Sequence, residues 1–103
     1  MVVVSVLYPE TAGGRFDFDY FVRRHVPLVC DLLQAAGLTG IQALRGVAAP
    51  GGGPAEHRAI SLLSFESADA FRTAIAAHGE KIFADRPNFT DIQPVFQVNE
   101  PLG

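Results

Sequence analysis

The sequence predicts an α+β fold with the element order βαββαβ. Two apolar segments, 2–8, which is rich in β-branched residues, and 57–65, are each followed by a capped segment with helical apolar spacing. Turns rich in Gly and Pro separate the remaining elements. With 103 residues, the chain has the usual length of one domain, and we predict a single domain over residues 1–103.

The first strand and the first helix are predicted from the first third of the chain. Residues 2–8 (VVVSVLY) are almost wholly apolar, which is typical of a strand buried on both faces. After the loop PETAGG, Asp17 is placed to cap a helix. We expect this helix to run to about Ala36, where Gly37 ends it in a left-handed conformation.

The second and third strands form the middle of the chain. We predict the second strand over residues 38–48, with two glycines that mark bulges. Residues 49–56 (APGGGPAE) form a flexible turn. The third strand follows at residues 57–65.

The last third of the chain contains the second helix and the final strand. Ser67 caps a helix that runs to about Ala84, and the sequence Asp-Arg-Pro at 85–87 ends it. The final strand spans about 91–98, where Pro94 predicts a sheet edge or a bulge. This order indicates a ferredoxin-like fold, in which a four-stranded antiparallel sheet has both helices on one face.

The predicted sheet is apolar on both faces. Val2, Val4 and Val6 alternate with Val3 and Leu7 in the first strand. Two helices cover one face only, so the other face would be a large exposed apolar patch, which soluble monomers avoid. We therefore predict a homodimer packed sheet to sheet about a two-fold axis.

The composition excludes several classes of protein. The net charge is −3, and the eight basic residues are scattered, so we expect neither a nucleic-acid partner nor a membrane surface. The apolar start MVVVSVLYP lacks a basic leader and is interpreted as a strand, not a signal peptide. The one cysteine, Cys30, cannot form an internal disulfide, which favours the cytoplasm. No metal motif and no nucleotide-binding motif occurs, so we expect no cofactor.

His25 is the most informative residue of the first helix. It lies at the centre of the apolar stripe that a 3.6-residue wheel predicts, and Pro27, which follows, removes a helical hydrogen bond and favours a local kink. His25 is therefore either a core histidine with a hydrogen-bond partner or a general acid or base in a small pocket. The wheel places Phe18, Phe21, Val22, Val29, Leu32 and Ala36 beside it, and Asp19, Tyr20, Arg23, Cys30 and Gln34 on the far side.

Further polar residues could share the space around His25. His78 lies on the apolar stripe of the second helix, although an imidazolium near a helix end is also explained by the helix dipole. Asn88, Thr90 and Asp91 either form a turn or bring Asp91 to orient His25 or to meet a substrate. Candidate catalytic residues are thus His25 and Asp91, and candidate substrate-binding residues are Tyr8, Phe21, His78, Asn88 and Thr90.

Four segments resemble one known family. The blocks VSVLYP, FDFDYFVRRHVPLV, SFESADAFRTAIAAH and PNFTDIQPVFQV are similar to the EthD family of the dimeric α/β barrel superfamily. The resemblance covers nearly the whole chain and implies two ferredoxin-like subunits whose sheets close a barrel, with a cleft in each subunit. Its histidine corresponds to His25. The family is associated with degradation of ethers and other organic compounds and is often labelled a reductase, while some relatives resemble polyketide dehydratases or decarboxylases.

Three functions remain open from the sequence. The first is a cofactor-independent enzyme that uses His25 for proton chemistry on a small hydrophobic or polyketide-like compound, as in dehydration, cyclisation or isomerisation. The second is a non-catalytic binding or accessory protein for a hydrophobic metabolite, in which His25 only anchors the ligand. The third is an oxidoreductase of the EthD type, as the resemblance implies.

Overall fold

The computed structural model describes residues 1–103 and confirms the predicted α+β, ferredoxin-like architecture. The four strands form one antiparallel sheet in the order β2-β3-β1-β4. The strands are β1 (Val2–Pro9), β2 (Leu38–Arg45), β3 (His57–Phe65) and β4 (Val95–Asn99), and the second helix is α2 (Ala68–Asp85), followed by a 3₁₀ turn (Arg86–Asn88). The first helix, α1, comprises an α-helical turn (Phe18–Tyr20), a π-helical segment (Phe21–His25), an α-helical segment (Val26–Leu33) and a 3₁₀ turn (Gln34–Ala36).

The predicted helix boundaries are confirmed at three positions. The Asp17 side chain accepts a hydrogen bond from the Tyr20 amide at 3.0 Å, and the Ser67 hydroxyl accepts one from the Ala70 amide at 3.0 Å. Each cap satisfies a donor that the first helical turn leaves unpaired. Gly37 has φ 105°, the left-handed conformation that ends α1.

Two strand boundaries differ from the prediction. β4 begins at Val95 rather than at residue 91, because Thr90 instead forms an isolated bridge with Phe16 and Pro94 has no amide hydrogen to donate. β2 ends at Arg45 rather than at residue 48. A predicted bulge is present near the start of β2, where the register shifts between Leu38 and Gly40.

The hydrophobic core lies between the sheet and the two helices. Side chains alternate along β1 and β3, so that every second residue is buried against the helices. The buried residues of these strands are Val2, Val4, Val6, Tyr8, Ala59, Ser61, Leu63 and Phe65.

The opposite face of the sheet has no helix on it and is apolar in one row only. The strand registers align Leu44, Ile60, Leu7 and Val95 directly across all four strands. The edge members of this row, Leu44 and Val95, are 41% and 53% exposed. The adjacent row is largely polar and consists of Gln42, Leu62, Ser5 and Gln97. The open face is therefore less apolar than the sequence predicted, and its apolar part is a band across the sheet, which we call the Leu7 row.

Candidate active site

The π-helical segment resolves the conflict between His25 and Pro27. The Val26 amide donates to the carbonyl of Phe21, five residues back, instead of four. Pro27 then lies in the first turn of the α-helical segment that follows. A proline is tolerated in the first turn because its missing amide hydrogen would have no helical partner there.

The π-helical segment also brings Tyr20 and His25 to one carboxylate. On an ideal α-helix, residues five apart point about 140° away from each other. Here the Tyr20 hydroxyl donates to Oδ1 of Asp85 at 2.7 Å, and Nδ1 of His25 lies 2.9 Å from Oδ2 of Asp85. The wider turn therefore places Tyr20 on the same side of α1 as His25, whereas a regular helical wheel predicts it on the far side. The same change leaves Val22, which the wheel assigned to the apolar stripe, 58% exposed.

Asp85 is held in its ionised form. Burial alone would raise the pKa of this carboxyl, but the hydrogen bonds from Tyr20, His25 and Asn88 outweigh burial and lower the pKa below 3.8. The Asn88 amide nitrogen lies 3.0 Å from Oδ1 of Asp85. Since the carboxylate accepts all three bonds, Asp85 is an anion at neutral pH.

His25 is a neutral imidazole beside that anion. Burial lowers its pKa below 6.5, and the hydrogen bond to Asp85 offsets part of this effect. An ionised carboxylate only accepts hydrogen bonds, so the proton of the neutral ring lies on Nδ1, and Nε2 carries a free lone pair.

Two phenylalanines fix the imidazole ring in place. Phe21 stacks on His25 with ring centroids 5.6 Å apart, and Phe89 lies 4.4 Å from it. Phe89 is fully buried and Phe21 almost so. The ring is therefore oriented by packing as well as by its bond to Asp85.

An apolar cavity lies beside His25, between the sheet and the helices. Its volume is about 60 Å³, and 15 of its 19 lining residues are hydrophobic. His25 lines it, and so do Phe83 of α2 and Phe96 of β4, whose rings are 5.7 Å apart and 47% and 46% exposed. The cavity thus reaches the surface near these two rings.

The few polar groups of the cavity include Tyr8, Ser61 and Arg86. The Tyr8 side chain is 96% buried, since the residue is 4% exposed, and its hydroxyl has no hydrogen-bond partner in the protein. Because no fully enclosed side-chain nitrogen or oxygen lacks a partner, the Tyr8 hydroxyl and Nε2 of His25 both border open space. Burial, partly offset by the positive charge of Arg86, raises the pKa of Tyr8 to about 12.

The structure places the candidate residues in different surroundings. Tyr8 and Phe21 line the cavity, and Asn88 bonds to Asp85 and, at 3.3 Å, to the Tyr20 hydroxyl. His78 is half-buried and is not among the cavity residues.

The carboxylate that orients His25 is Asp85, and the assignment of this role to Asp91 was wrong. Oδ1 of Asp91 instead accepts a bond from the Arg15 amide at 2.8 Å. Thr90 is fully buried, and its hydroxyl donates to the Arg15 carbonyl at 2.6 Å. Thr90 and Asp91 thus tie the segment before β4 to the segment before α1.

Sequence reasoning missed Asp85 because its position suggested a different role. The residues at 85–87 were interpreted as the end of α2, and Asp85 is indeed its last residue. One signal could have identified it. A carboxylate at a helix C-terminus is repelled by the helix dipole, and α2 has no basic residue in its last turn to compensate. An Asp in that position needs a partner elsewhere, and His25 and Tyr20 supply it.

Two further observations concern ligands and membranes. No three His, Cys, Asp or Glu side chains are grouped so that they could hold a metal ion. Neither helix combines the length and apolarity that crossing a membrane requires.

The fold and the site define a small ferredoxin-like protein with a His–Asp pair at an apolar cavity. Residues 15–93 match the EthD domain family, and the chain belongs to this family. It is similar to an EthD-like protein from Ralstonia eutropha, with 36% identity, a TM-score of 0.89, and coverage of 96% of this chain and 89% of the other. None of the curated proteins matches the sequence.

Two other solved structures share the fold. An ethyl tert-butyl ether (EthD) family protein from Bacillus halodurans is 18% identical, with a TM-score of 0.70 and coverage of 99% of both chains. HapK from Hahella chejuensis is 14% identical, with a TM-score of 0.58 and coverage of 100% of this chain and 94% of the other.

Proposed function

We propose that this protein is a small enzyme that catalyses proton transfer on a hydrophobic organic compound, with His25 as the general base. The observation that supports the proposal is the His25–Asp85 pair, at 2.9 Å, on the wall of an apolar cavity. Nε2 of His25 has no protein partner and is not enclosed, so it is free to accept a proton from a ligand in the cavity that His25 lines.

The geometry favours a two-step proton transfer. Nε2 of His25 removes a proton from the bound compound, and the imidazolium that forms is stabilised by the negative charge of Asp85 across the Nδ1–H bond. The same nitrogen then returns the proton to another atom of the compound. Dehydration, cyclisation and isomerisation all need this sequence of steps.

The cavity size limits the ligand. A volume of about 60 Å³ is well below the ~150 Å³ of an engineered cavity that holds benzene. A ligand of the size of benzene or larger requires Phe83 and Phe96 to move apart. The apolar lining favours uncharged hydrocarbon groups, because any polar group that lacks a partner there loses its hydration.

The experiment that tests the proposal is hydrogen–deuterium exchange in D₂O, followed by NMR. The panel contains small ketones, β-keto esters and phenols, whose C–H groups can exchange through an enol or enolate. We expect at least one compound to exchange a C–H faster with the protein than without it. His25→Gln should reduce this exchange by about 10²–10⁴-fold.

The matched control is His57→Gln. His57 begins β3 and does not line this cavity, so the same substitution there should leave the exchange rate unchanged. Equal losses in both variants, or the absence of any His25-dependent exchange across the panel, would rule out the general-base role.

A second candidate function is binding without catalysis. The observation that favours it is the predominance of hydrophobic residues around the cavity, which suits a carrier of an apolar metabolite. A carrier would bind members of the panel with no exchange in any of them. In that case His25→Gln would change affinity only.

We further propose that the protein is a homodimer packed sheet to sheet through the Leu7 row. This band crosses four strands on the face without helices, and a second copy related by a two-fold axis would bury it against itself. Sedimentation or light scattering at micromolar concentration should give about twice the chain mass of 11.0 kDa. A monomeric mass for the folded protein would contradict this proposal.

We also propose a cytoplasmic location. Cys30 is a free thiol, which is common where the compartment is reducing. Cell fractionation that recovers the protein with membranes or in the medium would contradict this assignment.

A further inference from the structure

The Tyr8 hydroxyl is an unused hydrogen-bond donor on the wall of the cavity. Tyr8 is 4% exposed and lines the cavity, yet its hydroxyl has no partner in the protein. Its ring is held by edge-on contacts with Phe16 at 5.2 Å, Phe21 at 6.0 Å and Phe89 at 6.0 Å. The hydroxyl oxygen is not among the enclosed polar atoms and borders open space, so it is free to donate to an acceptor that a ligand brings into the cavity.

Arg86 adds a positive charge to the same part of the cavity. Nη1 of Arg86 donates to the carbonyl of Ile92 at 3.2 Å and to that of Thr90 at 3.5 Å, which positions the guanidinium at the end of α2. The residue lines the cavity, and its charge acts on Tyr8. A guanidinium has five N–H donors, so donors remain for a ligand.

His25 shares its neighbours with Tyr8. Phe21 and Phe89 contact both the Tyr8 ring and the His25 ring. One wall of the cavity therefore presents the neutral Tyr8 donor, with the Arg86 charge nearby, and the His25 base. The rings of Phe21 and Phe89 lie between Tyr8 and His25. This arrangement matches a compound with an oxygen acceptor next to an acidic C–H.

We propose that the ligand is a small enolisable ketone whose carbonyl oxygen binds the Tyr8 hydroxyl next to Arg86, with its α-carbon facing Nε2 of His25. The placement of the α-carbon at His25 rests on the proposed function, whereas the placement of the oxygen at Tyr8 does not. In the reaction, His25 takes the α-proton, the C–H electron pair becomes the enolate C=C, and the carbonyl electrons move to oxygen. The enolate oxygen is stabilised by the Tyr8 O–H and the Arg86 charge, and the proton then returns to carbon or to oxygen.

The test compares cyclopentanone with methylenecyclopentane, which has nearly the same shape and no oxygen. Both have as many heavy atoms as benzene, so both require Phe83 and Phe96 to move apart, and the comparison isolates the effect of the oxygen. Titration of the ¹⁵N-labelled protein by NMR measures both affinities. We expect the ketone to bind about 2- to 10-fold more tightly, as one neutral hydrogen bond allows. Tyr8→Phe should remove most of this preference, leaving only the part due to the Arg86 charge, without reducing the free energy of unfolding, because the hydroxyl has no protein partner to lose.

A second variant keeps the test decisive if Tyr8→Phe does not fold. Arg86→Gln removes the charge and leaves an amide that can still donate to the carbonyls of Thr90 and Ile92. It should weaken binding of the ketone and leave that of methylenecyclopentane unchanged.

Three results would overturn the ketone assignment. The first is equal affinity for the ketone and methylenecyclopentane, and the second is a preference for the ketone that Tyr8→Phe does not reduce. The third is tighter binding of cyclopentanecarboxylate than of the ketone, which would make the ligand an anion held by Arg86. The outcome is separable from that of the proposed function. Ketone preference without exchange refutes the general base only, and His25-dependent exchange without ketone preference refutes the oxygen site only.

Discussion

Asp85→Asn should reverse the tautomer of His25. Oδ1 of Asp85 accepts bonds from Tyr20 and Asn88, while Oδ2 accepts from His25. In the variant, the Asn88 amide and the Tyr20 hydroxyl both lie against the position of Oδ1, so we expect the asparagine oxygen to remain there and its nitrogen to turn toward His25. That nitrogen is a donor, and Nδ1 of His25 must then accept, which moves the ring proton to Nε2.

The structure sets the expected magnitudes. Oδ2 of Asp85 and the His25 ring are both largely shielded, with side chains 14% and 8% exposed. The bond from exposed Asn88 is screened by water and adds little. Replacing the charged bond to His25 by a neutral one should lower the free energy of unfolding by about 1–2 kcal/mol. Any exchange catalysed by Nε2 should fall by about 10²–10⁴-fold, because this nitrogen no longer has a free lone pair.

The assay for the tautomer needs no substrate. The ¹⁵N chemical shift distinguishes a ring nitrogen that carries a proton from one that does not. In the wild type at pH 7.5, Nδ1 of His25 should be protonated and Nε2 unprotonated, and the assignment should be exchanged in Asp85→Asn. The His25→Gln variant identifies the signals, and denaturant titration gives the free energies of unfolding.

Asp91→Asn is the discriminating control. Asp91 accepts a bond from the Arg15 amide, so its substitution should leave the His25 tautomer unchanged. The reasoning is refuted if the wild-type ring carries its proton on Nε2, or if Asp91→Asn rather than Asp85→Asn exchanges the tautomer.

Three other predictions follow from the fold. Burial lowers the pKa of His25 below the ordinary 6.5, so as the pH falls the unfolded chain binds this proton before the folded protein does. The free energy of unfolding should therefore decline below about pH 6.5. Denaturant titration at pH 7.5 and 5.5 should show a smaller decline for His25→Gln than for the wild type. Leu7→Glu should place a charge in the middle of the Leu7 row and yield a monomer by sedimentation, whereas an unchanged dimer mass would locate the interface elsewhere. Deleting exposed Val22 should convert the π-helical segment to a regular helix in which Tyr20 and His25, then four residues apart, still lie on one side, so the Tyr20–Asp85 bond and the ¹⁵N signals of His25 should be retained. Inserting one alanine after Val22 should instead turn Tyr20 away and move those signals; the opposite pattern would contradict the role given to the segment.

The features that the sequence predicted well depend on local chemistry. The side chains of Asp17 and Ser67 cap the turns that they begin, and Gly37 ends a helix because of its own backbone freedom. Successive side chains of β1 point to opposite faces of the sheet, so the strand's own sequence predicts which residues share a face. Each of these needs only the residue and its immediate neighbours.

The parts that could not be predicted depend on a change of helical register or on distant contacts. Pro27 indicates that a regular helix is disturbed, but the response could be a kink, a break or a π-helical segment. Only the last brings Tyr20 beside His25. Asp85 is 60 residues from His25 in sequence, so the packing of α2 against α1 decides their contact.

The Leu7 row and the lining of the cavity also depend on contacts between distant residues. The sequence indicated apolar residues on both faces of the sheet, but the pairing register decides which of them align. Only the registers of β1 with β3 and β4 show that Leu7, Ile60 and Val95 form one band. Ser61 lines the cavity because β3 alternates in phase with β1.

The π-helical segment has a consequence for protein design. Residues 21–25 lengthen α1 by one residue relative to a regular helix of the same span, so the Tyr20 and His25 side chains cannot be transplanted onto an ordinary helical scaffold at their native five-residue spacing. A graft that keeps this spacing without the π-helical segment would aim one of them away from the acceptor. On a regular helix the equivalent pair is a tyrosine and a histidine four residues apart.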